Sequence, residues 1–155
     1  MTRLSENFTL RELVASDTAR SSGIENRPDE QAVIYLARLA MVLEMIRAEL
    51  GGRPVVVTSG YRSPALNRAV GGSRTSAHLD GRAVDLVVPL FGPPAEVAAR
   101  VAGMGFVVFD QLILERFGRR EWVHLGMARI GEVPRRQVLT IANGKVHAGL
   151  GGGRA

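Results

Sequence analysis

The chain has 155 residues, 46% of them hydrophobic, with a formal net charge of +5 and no cysteine. This length and composition fit one globular domain with a buried core, and they exclude global disorder, disulfide bonds and thiolate metal sites. A transition-metal site here must therefore use histidine, aspartate or glutamate. Since the basic residues are scattered and aromatic residues make up only 5% of the chain, we expect no nucleic-acid partner.

The first part of the chain is predicted to be helical. Residues 8–13 carry the signals of a helix start, because Thr9 can cap the helix and Glu12 can reach back to the cap. After a polar loop, apolar residues recur at helical spacing over 29–50, which predicts a long amphipathic helix ended by a pair of glycines. Charged residues interrupt this segment, so we expect no stable insertion into a membrane.

The second part of the chain is predicted to consist mainly of strands. A short helix at 94–103, with proline at its start, interrupts them. The pair Asn143 and Gly144 predicts a tight hairpin leading into residues 145–147. Apolar and β-branched runs predict the other five strands, at 54–58, 83–88, 106–115, 121–127 and 137–142.

The order of these elements indicates the fold class. Helices come first and strands later, which predicts an α+β fold with a small antiparallel sheet packed against the N-terminal helices. No internal repeat divides the chain. We therefore predict one domain over residues 1–148, followed by a flexible glycine-rich tail at 149–155.

Two of the three histidines lie near a carboxylate in sequence. His78 stands seven residues before Asp85, which falls inside an apolar predicted strand, and His124 lies in another. A carboxylate in such a strand is costly unless something compensates it, and a metal ion would do so. Taken alone, Asp85 or His124 would more often be a hydrogen-bonded core residue than a ligand. Together they match the two imidazoles and one carboxylate of a catalytic zinc site, which keeps one position for water. His147 has no such neighbours and is expected at the surface.

Two glutamates compete for the role of general base. Glu121 lies three residues before His124, so in a regular strand their side chains would point to opposite faces. A bulge or turn at residues 119–120 would be needed to bring Glu121 towards the metal. Glu115 ends the preceding predicted strand and could face the site across a hairpin. We favour Glu121 as the base that takes a proton from the metal-bound water.

Two further residues are candidates for substrate contact. Arg62 follows a predicted strand in a glycine-containing loop, where its guanidinium could hold a carboxylate or a peptide carbonyl, or simply be exposed. Ser76, two residues before His78, could orient that ligand or contact substrate, and a hydroxyl that caps the loop fits it equally.

A combination of motifs extends over nearly the whole chain. The central ones are TSGYRSP at 58–64, SxHxxGxAxD at 76–85 and WVH at 122–124, and they are flanked by FTLxEL at 8–13 and VLTI at 138–141. With these motifs the chain resembles the zinc D-Ala-D-Ala carboxypeptidases, a family that includes phage endolysin peptidases and has a Hedgehog-like α+β fold.

The resemblance implies a role for each candidate residue. His78, Asp85 and His124 would bind Zn²⁺, and the acidic residue three before the last histidine, Glu121, would be the catalytic base. Arg62 would steady the substrate or transition state. Two neighbours of these residues, Ser76 and Tyr61, are further candidates for contact with the substrate.

The resemblance also implies an activity and a setting. The expected reaction is zinc-dependent hydrolysis of peptidoglycan stem peptides by a D,D-carboxypeptidase or endopeptidase, and the expected role is that of a phage or prophage endolysin. The N-terminus lacks the apolar run of a signal peptide, so we expect synthesis in the cytoplasm and action at the cell wall after delivery by a holin or a virion. Two alternatives stay open: a structural protein of the virion or tail that contacts other virion proteins, and a cytoplasmic dipeptidase for free D-Ala-D-Ala.

Overall fold

A computed structural model describes residues 2–151. Their helices are α1 (Leu10–Val14), α2 (Asp17–Ser22), α3 (Glu30–Glu49), α4 (Pro64–Ala69) and α5 (Pro94–Ala102), with a short 3₁₀ helix at Ala77–Asp80. Their strands are β1 (Val56–Ser59), β2 (Ala83–Val87), β3 (Gln111–Phe117), β4 (Arg120–Gly126), β5 (Gln137–Ala142) and β6 (Lys145–Ala148). The predicted α+β class is confirmed.

The strands form one six-stranded sheet in the order β1-β2-β4-β3-β5-β6. Neighbouring strands are antiparallel except β3 and β5, which are parallel, so the sheet is not entirely antiparallel as expected. The physical reason is the connection at residues 127–136. It carries the chain from β4 past β3 before β5 begins, so that β5 pairs on the far side of β3.

One face of the sheet forms the hydrophobic core. Leu114 on β3 pairs with Val123 on β4, and both are buried in a cluster with apolar residues of α3 and α5. Side chains alternate between the two faces along each strand. The neighbouring pair Ile113 and His124 therefore points to the opposite face, which we call the site face.

Local capping signals fix the helix starts. At α1 the Thr9 hydroxyl accepts a hydrogen bond from the Glu12 amide, and the Glu12 carboxylate accepts one from the Thr9 amide, which confirms the predicted capping box. At α3 the Asp29 carboxylate accepts a hydrogen bond from the Ala32 amide at 2.8 Å. The predicted long helix thus begins and ends within one residue of its expected bounds.

Three short helices are not predicted by apolar periodicity. They are α2, α4 and the 3₁₀ helix, of six, six and four residues. Each follows a serine (Ser16, Ser63 or Ser76) whose hydroxyl accepts a backbone hydrogen bond from the first turn. Segments this short show no helical period, so their serines and glycines indicated loops instead.

The strand predicted at 106–115 begins later than expected. β3 starts at Gln111, although Val107 and Phe109 are buried in the core. The apolar run before Gln111 therefore reflects packing against the core rather than strand pairing.

The predicted hairpin is confirmed. Asn143 and Gly144 form the turn between β5 and β6, with φ angles of 49° and 80°.

The predicted tail lies only partly within the described residues. The Gly149 amide donates to the Val138 carbonyl at 2.9 Å, and Leu150 packs against the core. Residues 152–155 lie outside the described residues, so the flexible tail stays a prediction. Among residues 2–151, no helix has both the length and the apolar character needed to cross a bilayer.

The loop after β1 passes unusually close to α1. The Tyr61 amide donates to the Leu13 carbonyl at 2.8 Å, and a Cβ built on Gly60 would lie only 2.1 Å from the same oxygen. The Asn26 side chain fixes the loop further, because its amide donates to the carbonyls of Val14 and Tyr61. A side chain at position 60 would therefore push the loop away from α1.

We expect the substitution Gly60→Ala to destabilise the fold by about 1–3 kcal/mol, because overpacking against a fixed carbonyl costs roughly that much. Thermal unfolding followed by circular dichroism measures the effect. Gly105→Ala is the matched control, since a Cβ there meets no atom within 4 Å. Equal melting temperatures for the two variants would contradict the close approach.

Candidate metal centre

Three side chains meet on the site face. One ligand atom each from His78, Asp85 and His124 lies within 4.8 Å of the other two, an arrangement that could hold a metal ion. Asp85 Oδ1 is 3.1 Å from His124 Nδ1 and 3.3 Å from His78 Nε2. All three residues are buried, with 2–8% of their surface exposed.

Strand pairing brings two of these residues together. Asp85 on β2 lies directly opposite His124 on β4, so their side chains leave the same face. On its other side Asp85 pairs with Ser59 of β1, where the register shifts between residues 57 and 59. Such bulges re-aim side chains next to active sites.

The 3₁₀ helix carries the third residue. His78 lies in Ala77–Asp80, and the Arg62 amide donates to its carbonyl at 3.0 Å. Gly81 ends this helix with a φ of 75°, which is the bend expected between His78 and Asp85. A Cβ on Gly81 would also lie 2.7 Å from the Ala32 carbonyl, so α3 packs directly against this turn.

The hydrogen bonding of His78 indicates that a cation belongs between the ligands. His78 Nδ1 lies 2.7 Å from the Gly60 carbonyl, which only accepts, so Nδ1 carries the hydrogen. Burial is the largest influence on the pKa of His78 and lowers it despite the opposing effect of Asp85, and a lowered pKa favours the neutral ring. Its Nε2 lone pair then faces the Asp85 carboxylate across 3.3 Å. A cation between two such acceptors would remove their mutual repulsion, and a metal ion could supply it.

Asp85 is ionised in this setting. Burial by itself would raise the pKa of Asp85, but the adjacent imidazoles of His124 and His78 outweigh it and hold that pKa well below its usual value. Arg62 also donates from its guanidinium to Asp85 Oδ2 at 3.2 Å. The donor set is therefore one carboxylate and two imidazole nitrogens, which suits zinc with an open fourth position.

The structure places Glu121, the favoured candidate for the base, away from the three candidate ligands. Glu121 lies on the face of β4 opposite to His124, and its carboxylate accepts hydrogen bonds from the Ala95 amide and from Arg116. The β3–β4 register is unbroken from residue 111 to residue 117, so the bulge that Glu121 required is absent from this hairpin. Regular strand alternation therefore keeps Glu121 away from the ligands.

Glu115, the other candidate for the base, lies on the same face of the sheet as the candidate ligands. It pairs with Trp122 across β3 and β4 and so points to the site face, with Oε1 4.0 Å from His124 Nδ1. Burial, and then the charge of Asp85, raises the pKa of Glu115. A raised pKa makes a carboxylate a better proton acceptor near neutral pH.

The three residues expected to contact substrate lie in different surroundings. Arg62 lies at the site, where its Nε donates to Ser59 Oγ at 3.1 Å. Tyr61 is a core residue with 7% of its surface exposed, so its predicted contact with substrate is not supported. The Ser76 hydroxyl accepts a hydrogen bond from the His78 amide at 3.3 Å, which is the capping role weighed against substrate contact. His147 lies on the exposed strand β6.

A cleft of about 830 Å³ opens beside the ligands. Arg62 and Asp85 line it, and so do Trp122 and Arg120. Sequence reasoning missed these last two residues. The signal was available, because residues 120, 122 and 124 of one strand share a face. A second groove of about 400 Å³ lies between α3 and residues 127–134, away from the ligands.

Comparison with protein families identifies the chain. A family model described as Peptidase M15 matches residues 6–126, which is well over half of the 155 residues and includes all three candidate ligands. The chain therefore belongs to the M15 peptidases, and the resemblance to zinc D-Ala-D-Ala carboxypeptidases and endolysin peptidases is confirmed. These peptidases are zinc-dependent, in agreement with the donor set. No curated protein matches the chain.

We expect the purified chain to bind one zinc ion and His78→Ala to weaken this binding by at least about 10²-fold, since loss of even an outer-shell partner costs up to that much. Metal analysis after dialysis and titration with a zinc indicator measure it. His147→Ala is the matched control, because His147 is exposed and lies outside the ligand group. Equal zinc content in both variants would contradict the assignment.

Proposed function

Since the chain belongs to the M15 peptidases, we propose that it is a zinc-dependent peptidase that hydrolyses peptidoglycan stem peptides, as a D,D-carboxypeptidase or endopeptidase. The observation that carries this proposal is the pair of facing acceptors, His78 Nε2 and Asp85 Oδ1, with the carboxylate of Glu115 beside them, 4.0 Å from His124 Nδ1. Zinc bound to His78, Asp85 and His124 would polarise the scissile carbonyl and lower the pKa of a coordinated water to about 7.

Glu115 acts as the base in this proposal. Its carboxylate accepts the proton of the attacking water while the water oxygen bonds to the scissile carbonyl carbon. The same proton then passes to the leaving amine as the C–N bond breaks. The raised pKa of Glu115, caused by burial first and by Asp85 second, favours the first of these transfers, in which the carboxylate accepts the proton.

Arg62 stabilises the negative charge that develops on the carbonyl oxygen. Its guanidinium is held in place from two sides, by Ser59 Oγ and by Asp85 Oδ2, and it lines the cleft. A donor fixed before the reaction stabilises developing charge without having to reorganise. Arg62 also supports the orientation of Asp85, because it neutralises the carboxylate oxygen that faces away from the two imidazoles.

The proposed substrate is a stem peptide that contains D-amino acids. The cleft of about 830 Å³ has room for several residues of an extended peptide. The net charge of +5 favours approach to an anionic cell wall. We further propose an endolysin role, in which a holin or a virion delivers the protein to the wall.

We expect the zinc-loaded chain to release new amino groups from purified sacculi, with chelation stopping the release and added zinc restoring it. Mass spectrometry of the soluble fragments identifies the bond that is cut. His78→Ala should release nothing, while His147→Ala should match the unmodified chain. Cleavage of free D-Ala-D-Ala without release from sacculi would instead support a cytoplasmic dipeptidase. Full zinc loading without either activity would support a structural role in a virion.

We expect Glu115→Gln to lower turnover by about 10²-fold or more, because loss of a general base removes roughly that factor. Zinc content should stay unchanged. Glu121→Gln provides the comparison, since its side chain lies on the opposite face of β4 and should retain most of the activity. If Glu121→Gln stops turnover and Glu115→Gln does not, the base is wrongly assigned.

A further inference from the structure

Strand β4 presents a row of three side chains along the cleft. Arg120, Trp122 and His124 share the site face, and the first two line the cleft wall. We propose that Arg120 and Trp122 form a subsite for a substrate carboxylate about two residues away from the scissile bond. This inference rests on the proposed peptidase function and adds a determinant of substrate specificity to it.

The position of the subsite follows from the strand geometry. The guanidinium carbon of Arg120 lies 5.8 Å from the centre of the Trp122 ring. Trp122 is two residues from His124, which places the ring about 7 Å along the strand from that ligand. An extended peptide advances about 3.5 Å per residue. A group bound over Trp122 is therefore about two residues from a bond held at the ligands.

The charges around the cleft leave Arg120 available for a substrate. The other charged residues that line it already have partners for their side chains: Arg62 with Asp85, Asp17 with Arg20, and Glu121 with Arg116. By contrast, Arg120 forms no ion pair with any residue between positions 2 and 151. It is thus the cation in the described part of the cleft that no protein carboxylate neutralises.

The contact with Trp122 prepares this guanidinium for a planar anion. The face of Trp122 attracts the cation and restricts its rotamers. A cation-π contact uses none of the N–H donors of a guanidinium in hydrogen bonds, and these donors match the two oxygens of a carboxylate. A neutral carboxamide accepts fewer hydrogen bonds and carries no charge. The subsite should therefore distinguish stem peptides with a free carboxylate from those in which it is amidated.

Two synthetic peptides test the inference. One is a stem-type pentapeptide, L-Ala-γ-D-Glu-L-Lys-D-Ala-D-Ala, with a free α-carboxylate on its second residue, and the other carries a carboxamide there. Trp122 is the single tryptophan of the chain, so its fluorescence reports binding directly. The titrations use zinc-loaded Glu115→Gln, in which turnover is suppressed. We expect the carboxylate peptide to bind about tenfold more tightly, as hydrogen bonds to charged groups suggest.

Variants of two adjacent arginines identify the residue responsible. Arg120→Gln, in the same background, should bind both peptides equally and as weakly as the amidated one. Arg119→Gln is the matched control, since Arg119 is also exposed but does not line the cleft, and it should keep the tenfold preference.

Outcomes for the subsite and for the peptidase are separable. Equal binding of the two peptides before substitution, binding of neither, or a preference that survives Arg120→Gln would overturn the subsite. Selective binding together with no hydrolysis by the active chain would leave the subsite in place and remove the proposed peptidase function. Hydrolysis of both peptides at equal kcat/KM would support the peptidase function and overturn the subsite.

Discussion

The carboxylate of Asp85 is the group on which the site depends. Its Oδ1 faces both imidazoles, its Oδ2 accepts from Arg62, and its strand pairs with β1 on one side and β4 on the other. A buried charge with these partners is stable only while all of them are in place. The same strand pairing that builds the sheet therefore also sets the distance between Asp85 and His124, two of the three candidate ligands.

The two faces of the sheet divide stability and chemistry between them. One face is apolar and packs against α3 and α5, so it can supply most of the hydrophobic stabilisation. The site face carries polar side chains that would be costly to bury without partners. Loops that are packed tightly elsewhere provide those partners. The Gly60 carbonyl that orients His78 is itself fixed by the close approach of its loop to Leu13.

The roles proposed for residues on the site face follow from their positions along β3 and β4. On β3, Glu115 stands where it can exchange a proton at the ligands. On β4, the row from His124 to Arg120 leads away from them along the cleft. Chemistry and recognition would then lie on neighbouring strands of one rigid sheet, an arrangement that keeps their spacing constant during turnover. Arg120 is the most exposed of the three residues in the row, so its substitution should disturb the fold least.

Sequence alone determined the features that local chemistry fixes. The capping box at Thr9, the hairpin at Asn143 and Gly144, and the long helix α3 follow from neighbouring residues, and the grouping of His78, Asp85 and His124 followed from their rarity and their apolar setting. Tertiary structure decided the rest. Whether Glu115 or Glu121 faces the ligands depends on an unbroken register between two strands, and whether Tyr61 meets substrate or core depends on how its loop packs on α1. A single bulge would have reversed the choice of glutamate, because side chains alternate with a period of two residues and a shift of one moves each of them to the other face.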